Sequence, residues 1–410
     1  MSAAALLASH SAPVPADIWE RTADVVAIWA AARQTHEGRA LEALFAGSPD
    51  LEIAGRAAII RYSEADPIHV PSCMTADAIA VPVALGAATN AQGYLEAVTV
   101  GAAVGVRLAR AVGGVDALSA GVWPALFAAP AVAAVTDAMA RGLPSSVVGN
   151  ALALSMSGGS GRAGRPGGMP SGRWTIFGEA VHRGLRAVRA AEAGATADAD
   201  IFSTGWLRTL IGELAMPEAL GGEARDTEFC IKPAVCARQG LTAVAGLREM
   251  LADVSPETIE TIEVRLPTSC IGVVTRPVVE GNRLSEVANL PLALALAALD
   301  PGRLLDIGRE SAISPDVLAF AARVSVVADP SLDDARAGTW PAILCLDGMS
   351  GRREQRFDTM PGDAGAPSRA SALHMKLSCL GAQEVLAALM NSSEEDPETI
   401  LARFRAVLRS

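Results

Sequence analysis

The spacing of hydrophobic residues changes near residue 230, and this change limits the possible folds more than any other feature. Before it, apolar residues recur every three to four positions, the period of amphipathic helices, in stretches such as "ADIWERTADVVAIWAAARQ" and "SGRWTIFGEAVHRGLRAVRAAEAGA". After it, short β-branched runs bounded by Pro or Gly predict strands, namely "ETIETIEVRLP", "CIGVVTRPVV", "RVSVVADPSL" and "WPAILCLDG". Helical stretches separate these runs. The pattern predicts two domains of different class.

The predicted fold is mainly α with a smaller α/β domain. Residues 231–373 form the α/β domain, and residues 1–230 and 374–410 form a helical domain. The last segment is included because helical periodicity returns in "SRASALHMKLSCLGAQEVLAALM" and "DPETILARFRAVLR". A chain of 410 residues is also longer than one ordinary hydrophobic core supports. Half of the residues are apolar but only 4% are aromatic, which predicts closely packed helices with small residues at their contacts.

The net charge and the apolar runs of the chain exclude several classes of binding partner. The net charge of −11 argues against nucleic acid or an anionic membrane as the main partner, although local arginines still permit an anionic substrate. Long apolar runs contain prolines such as Pro124 and Pro130, so we expect core helices and no membrane span. The N-terminus lacks the basic region of a signal peptide.

Six cysteines without a CxxC pair indicate free thiols in the cytoplasm and no zinc or iron–sulfur site.

The stretch "RYSEADPIHVPSCMT" places Glu64, Asp66 and His69 within six residues of each other. Pro67 lies among them, removes a backbone donor and disfavours the α conformation at Asp66, so the stretch is predicted to be a turn. A carboxylate beside an imidazole is suited to acid–base catalysis. The alternative is a polar link or helix cap without a catalytic role.

The segment "SMSGGSGRAGRPGGMPSGRW" combines glycines with Arg162, Arg165 and Arg173. Exposed backbone N–H groups and guanidinium forks suit the binding of a carboxylate or a phosphate. No GK[ST] follows, so the segment is not a Walker loop. A solvated loop without a ligand is the alternative. In the helix that follows, His182 faces either a cleft or solvent.

The stretch "EFCIKPAVCARQG" lies where the helical part gives way to the strand-rich part. It carries Lys232, Arg238 and Gln239. Clefts between domains are a preferred place for ligands, and a lysine there can bind an anion or, when desolvated, act as a base. A surface lysine at a hinge is the alternative.

The order of several stretches resembles that of the MmgE/PrpD family, which includes 2-methylcitrate dehydratase, cis-aconitate decarboxylase and iminodisuccinate epimerase. The resemblance covers the chain from about residue 20 to its end. Its first half rests on "SEADPIHVPSCMTADAIAVPVALG", similar to an acidic DDxH segment, "GYLEAVTVGAAVGVRLARA" and "SGRWTIFGEAVHRGLRAV". Its second half rests on "IKPAVCARQGLTAVAGLREML", "NLPLALALAALDPG", "SPDVLAFAARVSVVAD", "WPAILCLDG" and "MPGDAGAPS".

The resemblance implies a large helical domain built from both chain ends, a smaller α/β lid domain, and a homodimer. It also implies movement of a proton beside a carboxylate of a small organic acid, without metal or organic cofactor. Lys232 matches the lysine of the family's KP motif, and Glu64 and Asp66 fall on its acidic segment. His182 lies where the decarboxylase branch carries a lysine. The catalytic set expected on this basis is Lys232, His69, Asp66, Glu64 and His182, with Arg162, Arg173, Arg238 and Gln239 binding substrate carboxylates.

The chain departs from the decarboxylase branch at three places. Thr75 and Leu241 stand near positions where that branch has histidines, and Leu292 stands near its tyrosine. The second acid of DD is Pro67, whereas "KPAVCARQ" resembles the epimerase branch. The leading hypothesis is a cofactor-independent lyase or isomerase on a small carboxylate, epimerase-like. The alternatives are a tailoring enzyme that cyclises or isomerises a larger acid, and an inactive homologue that binds or assembles.

Overall fold

The chain is mainly helical with one small mixed sheet. The computed structural model describes residues 2, 6, 13–159, 161–164, 172–221, 228–279, 281–333, 339–349, 351–392 and 395–409. Its contacts divide it into two compact units. Unit 1 comprises Met1–Tyr62, Asp66–Phe229 and Leu380–Ser410, and unit 2 comprises Ser63–Ala65 and Cys230–Cys379. Within the described part, no helix has both the length and the hydropathy needed to cross a membrane.

Unit 1 is helical in its described residues, and two further helices from the end of the chain complete it. The helices are α1 (Ile18–Ala32), α2 (His36–Leu44), α3 (Pro49–Tyr62), α4 (Asp77–Ala87), α5 (Ala91–Ala111), α6 (Pro124–Ala140), α7 (Ser145–Met156), α8 (Arg173–Glu192), α9 (Thr204–Ile211), α16 (Gln383–Met390) and α17 (Pro397–Arg409).

Helix α6 is the central element of unit 1 and packs against α4, α5, α7 and α8. Pro124 occupies its start, where a missing N–H is not needed, and Pro130 lies inside it. Small residues bring the neighbouring helices close. A Cβ atom on Gly184 of α8 would lie 2.2 Å from the carbonyl oxygen of Pro130, so this crossing requires glycine. The structure thus has the small-residue helix contacts that the composition predicts.

Unit 2 contains a four-stranded sheet of strand order β2-β1-β3-β4. The strands are β1 (Ile259–Leu266), β2 (Val324–Ala328), β3 (Ala342–Gly348) and β4 (Arg353–Phe357). β1 pairs with β2 in parallel and with β3 antiparallel, so Val264 is paired with both Val326 and Leu344. The helices of unit 2 are α10 (Arg238–Met250), α11 (Thr268–Val274), α12 (Arg283–Val287), α13 (Leu290–Leu299), α14 (Pro315–Ala321) and α15 (Arg369–Cys379).

One strand prediction is wrong. The run "CIGVVTRPVV" begins within helix α11 and is not a strand. The buried residues of this helix, Cys270 and Val274, are four positions apart, which is the helical period. A short apolar run does not distinguish a strand from a buried helix by its pattern alone. The strand β4, "REQRF", was not predicted because four of its five residues are polar.

The limits of unit 2 differ from the predicted 231–373 at two places. Helix α15 belongs to unit 2 as far as Cys379, so the predicted boundary at residue 374 falls inside this helix. The tripeptide Ser63–Ala65 also belongs to unit 2, although the residues on either side of it belong to unit 1. The side chain that joins these two segments is Lys376, which bonds to the tripeptide.

Candidate functional site

Lys232 and Glu64 form a buried pair within unit 2. The ammonium nitrogen of Lys232 donates a hydrogen bond of 2.9 Å to the backbone carbonyl of Glu64 and lies 3.7 Å from its carboxylate oxygen Oε2. Lys232 is 2% exposed and Glu64 is 8% exposed. These two residues are separated by 168 positions, and both were predicted to be catalytic from the sequence. The structure brings them into contact.

The tripeptide Ser63–Ala65 is held by a second buried lysine. Lys376 donates a hydrogen bond of 2.7 Å to the carbonyl of Ala65, the residue after Glu64. Glu64 itself has a φ angle of 58°, in the left-handed region that non-glycine residues rarely occupy. Strained residues of this kind persist only where the surrounding contacts hold them, and they are concentrated at functional sites. The position of the Glu64 side chain is therefore imposed by its contacts.

The segment that carries Lys232 is fixed by the "MPGDAGAPS" stretch. The backbone N–H of Ile231 donates to the carbonyl of Gly362 at 2.8 Å. A Cβ atom on Gly362 would lie 1.7 Å from the carbonyl oxygen of Ile231, so only glycine fits there. Asp363 follows and accepts a hydrogen bond from Arg238. Two of the stretches on which the family resemblance rests are thus in direct contact within unit 2.

Arg238 and Gln239, predicted to bind substrate, lie at the start of helix α10. Arg238 is 1% exposed; its Nη2 donates to Asp363, and its Nη1 donates to Thr242 Oγ1 at 3.2 Å. Asp363 also accepts from the backbone N–H of Met360, so the ion pair connects helix α10 to the Gly362 turn. This arrangement favours a structural role for Arg238. Gln239 is buried next to it in the helix.

Cys236 lies in the same loop as Lys232. Burial raises the pKa of its thiol to about 11, against an ordinary value of 9.0, while Arg309 and Lys232 act in the opposite direction. The thiol is therefore protonated at neutral pH, and a nucleophilic thiolate is not favoured. Cys73 is also a buried free cysteine.

In unit 1, Asp66 is paired with Arg61. The carboxylate oxygen Oδ1 of Asp66 accepts a hydrogen bond of 3.0 Å from Arg61 Nη1, and both residues are buried. The segment that follows forms a tight turn in which the backbones of His69 and Met74 exchange two hydrogen bonds. His69 Nδ1 is in hydrogen-bond contact with Ser72 Oγ at 2.8 Å. The stretch is a turn, as predicted; Asp66 and His69 bond to residues nearby in sequence, whereas Glu64 is paired with the distant Lys232.

The remaining predicted residues are also in unit 1. The guanidinium of Arg173 lies 4.3 Å from the ring centre of Trp123, and Arg162 is exposed and donates to the carbonyl of Ala120. His182 is half-buried on helix α8 and has no hydrogen bond or ion pair with any described residue. Arg165 lies outside the described residues. Among the described residues, no hydrogen bond, ion pair or ring contact joins His182, Arg162 and His69 to one another.

Sequence reasoning missed Lys376. Its neighbours Leu373 and Leu377 are buried, and Lys376 lies on the same face of α15. A lysine among apolar residues at helical spacing was therefore the available signal. No cluster of three or more metal-ligating side chains occurs among the residues that the structure describes. Neither a scan against known protein families nor a search of curated proteins gives a match to this chain.

Proposed function

We propose that this protein is a cofactor-independent lyase or isomerase that moves a proton beside a carboxylate of a small organic acid. The observation that carries the proposal is the buried Lys232–Glu64 pair in unit 2, with the Lys232 ammonium 2.9 Å from the carbonyl of a residue in a strained conformation. A buried ammonium next to a carboxylate supplies both a positive charge and a proton acceptor within one contact. Both are needed to remove a proton from the carbon beside a carboxylate.

In this proposal Lys232 and Glu64 have different roles. The carboxylate of Glu64 takes the proton from the carbon atom, and the ammonium of Lys232 stabilises the negative charge that then develops on the substrate carboxylate. Preorganised charges in a buried site are worth more than in water because no solvent must reorganise. Delivery of the proton to the opposite face gives epimerisation, and loss of a neighbouring group gives elimination. The epimerase-like outcome is supported by the "KPAVCARQ" stretch.

The MmgE/PrpD assignment and the homodimer belong to the same proposal. The assignment is supported by the order of the quoted stretches and by the contact between Ile231 and Gly362, which joins two of them, and the homodimer is what the resemblance implies. The division into a helical part and a part with a mixed sheet is compatible with this assignment. Asp66 and Arg238 are given structural roles here, because each is in a buried ion pair with a neighbour.

The test is hydrogen–deuterium exchange at carbon. The protein is incubated in D₂O with a panel of small di- and tricarboxylates and their imino analogues, and C–H exchange is followed by NMR. We expect exchange with at least one panel member. Substitution Lys232→Met should lower the exchange rate by about 10² or more, the typical contribution of a positioned catalytic group.

Lys376→Met is the matched control, because it removes a second buried lysine that bonds to the next carbonyl of the same tripeptide. We expect it to lower stability but to retain exchange, measured on the folded fraction. Exchange that is equal in the wild type and in Lys232→Met would overturn the role of Lys232. A folded wild-type protein that exchanges no panel member would contradict the proposed reaction class.

A further inference from the structure

Arg309 is a buried cation with unused hydrogen-bond donors. It lies in unit 2 and is 4% exposed. Its Nη2 donates a hydrogen bond of 2.6 Å to the carbonyl of Val235. Its other two nitrogens, Nε and Nη1, are buried and have no acceptor among the described residues. Burial of polar groups without a partner is unfavourable, and that of charged groups more so.

Two further arginines, Arg283 and Arg303, lie close enough to Arg309 to act on its pKa, and each donates hydrogen bonds to backbone carbonyls. Arg283 Nη1 donates to Ile307 at 3.0 Å. Arg303 Nη1 and Nη2 donate to Ala312 and Ser311 at 2.8 and 2.5 Å. Neutral carbonyls satisfy hydrogen bonds but do not balance charge. The three guanidinium groups therefore concentrate positive charge in this part of unit 2.

Two carboxylates, Glu286 and Asp306, lie near these guanidinium groups. Glu286 lies 4.0 Å from Arg303, and its buried oxygen Oε2 has no hydrogen-bond partner among the described residues. Asp306 is exposed and accepts hydrogen bonds from the backbone N–H groups of Gly308 and Arg309. Burial lowers the pKa of Arg309 to about 10, so the guanidinium remains charged at neutral pH and carries a desolvation penalty.

We propose that Arg309 is the centre of a carboxylate-binding site in unit 2, in which Nε and Nη1 of its guanidinium bind one singly charged carboxylate. A carboxylate supplies the hydrogen-bond acceptors that Arg309 lacks. It also places a negative charge next to the buried Arg309 guanidinium. A carboxylate brings one negative charge close to the Glu286 carboxylate, whereas a phosphate dianion brings two, so the carboxylate is the better match.

The guanidinium is held in place by the backbone around it. Arg309 has a φ angle of 47°, in the left-handed region, and the Asp306 side chain accepts hydrogen bonds from the turn that produces this conformation. The carbonyl of Val235 accepts from Nη2, and the N–H of Val235 donates a hydrogen bond of 2.7 Å to the carbonyl of Leu304. The donor groups are thus preorganised before a ligand binds.

The site stands independently of the reaction proposed above. Lys232 and Val235 belong to the same loop, but the Arg309 site requires only that a carboxylate binds and not that any proton moves. Binding is therefore measured without turnover. Carboxylate binding by Arg309→Met tests the site, and C–H exchange by Lys232→Met tests the reaction, so failure of one proposal is distinguished from failure of the other.

The experiment compares probe binding by calorimetry and by thermal shift, using propionate, butyrate and inorganic phosphate. We expect propionate and butyrate to bind and to raise the Tm of the wild type, with phosphate clearly weaker. Arg309→Met should raise the Kd of the carboxylates by about tenfold or more, because charge-assisted hydrogen bonds are lost. Arg323→Met is the matched control, since Arg323 is an exposed arginine of the same unit that donates to the carbonyl of Ile259.

Two further variants keep the test decisive if Arg309→Met does not fold. Arg309→Lys retains the charge but removes the fork, and we expect a Kd several times higher than that of the wild type. Glu286→Gln removes a competing negative charge and should lower the Kd. The proposal is overturned if the Arg309 variants bind the carboxylates as the wild type does, or if phosphate binds as tightly as propionate.

Discussion

Lys232 and Lys376 donate hydrogen bonds to consecutive backbone carbonyls, those of Glu64 and Ala65, at 2.9 and 2.7 Å. Both lysines are buried, and they are 144 positions apart in the chain by their numbers, 232 and 376. A tripeptide of unit 2 is thus held by two ammonium groups from distant parts of the sequence. Variants of the two lysines can therefore separate an effect on stability from an effect on the proposed C–H exchange.

Removal of the Lys376 ammonium should destabilise unit 2. Lys376→Met keeps most of the side-chain volume but leaves the buried carbonyl of Ala65 without this donor, and an unsatisfied buried group costs about 1–3 kcal/mol. The free energy of unfolding, followed in urea, measures the loss. Lys376→Gln can still donate and should lose less. Equal stability of Lys376→Met and the wild type would contradict the prediction.

The strained backbone of Glu64 predicts an unusual ranking of substitutions. Glu64→Gly should be more stable than Glu64→Ala by about 1 kcal/mol, because glycine adopts a φ of 58° without a steric penalty. Both variants lose the carboxylate, so both should lose C–H exchange. Comparison of their Tm values tests the ranking. Ala65→Gly is the control, since Ala65 has no positive φ and glycine there should destabilise.

Breakage of the Arg61–Asp66 pair should be strongly destabilising. Asp66→Asn removes the negative charge that is paired with the buried guanidinium of Arg61. We expect the free energy of unfolding to fall by about 3–5 kcal/mol. The surface pair of Arg356 and Asp358 is 2.8 Å apart and more than half exposed, and it provides the comparison, because Asp358→Asn should change stability far less. Chemical denaturation of both variants measures the difference. Similar losses would show that burial is not the cause.

The thiols should differ in reactivity. Cys379 is exposed, whereas Cys73, Cys230, Cys236, Cys270 and Cys345 are buried. Iodoacetamide should therefore modify Cys379 first in the folded protein, with the other five modified only on unfolding. Mass spectrometry of tryptic peptides identifies the sites. Rapid modification of Cys236 in the folded protein would contradict its burial.

The raised pKa of Cys236 predicts a pH dependence of stability. The folded thiol keeps its proton up to about pH 11, whereas the unfolded thiol loses it near pH 9.0. The folded state binds more protons between these values, so the free energy of unfolding should fall as the pH rises through that window. Cys236→Ala should show a shallower fall over the same range. An identical slope in both proteins would exclude this contribution.

The sequence predicted the features that depend on local periodicity. The strand of "ETIETIEVRLP" and the turn at Pro67 follow from patterns within about ten residues, and both are present. "CIGVVTRPVV" failed because a short apolar run suits a helix as well as a strand. β4 was not predicted as a strand because an edge strand with polar side chains lacks the alternation of apolar and polar residues by which strands are recognised.

The candidate site was less accessible to prediction. Lys232 and Glu64 were identified chiefly through the family resemblance, since neither residue has a distinctive local pattern. The acceptors of Lys232, Lys376 and Arg309 are backbone carbonyls, and a carbonyl is present at every position of the sequence. Side-chain identity therefore gives no indication of these contacts. The distance in sequence, 311 positions for Lys376 and Ala65, removes any local signal as well.

The membership of Ser63–Ala65 in unit 2 limits how the gene can be divided. A fragment that begins at Cys230 and ends at Cys379 would contain both lysines but lack the two carbonyls that accept their hydrogen bonds. Such a fragment would have to bury two cations without these acceptors or expose them by local unfolding. We therefore expect that unit 2 does not fold as the continuous segment Cys230–Cys379 alone. A fusion protein that contains unit 2 must also include Ser63–Ala65.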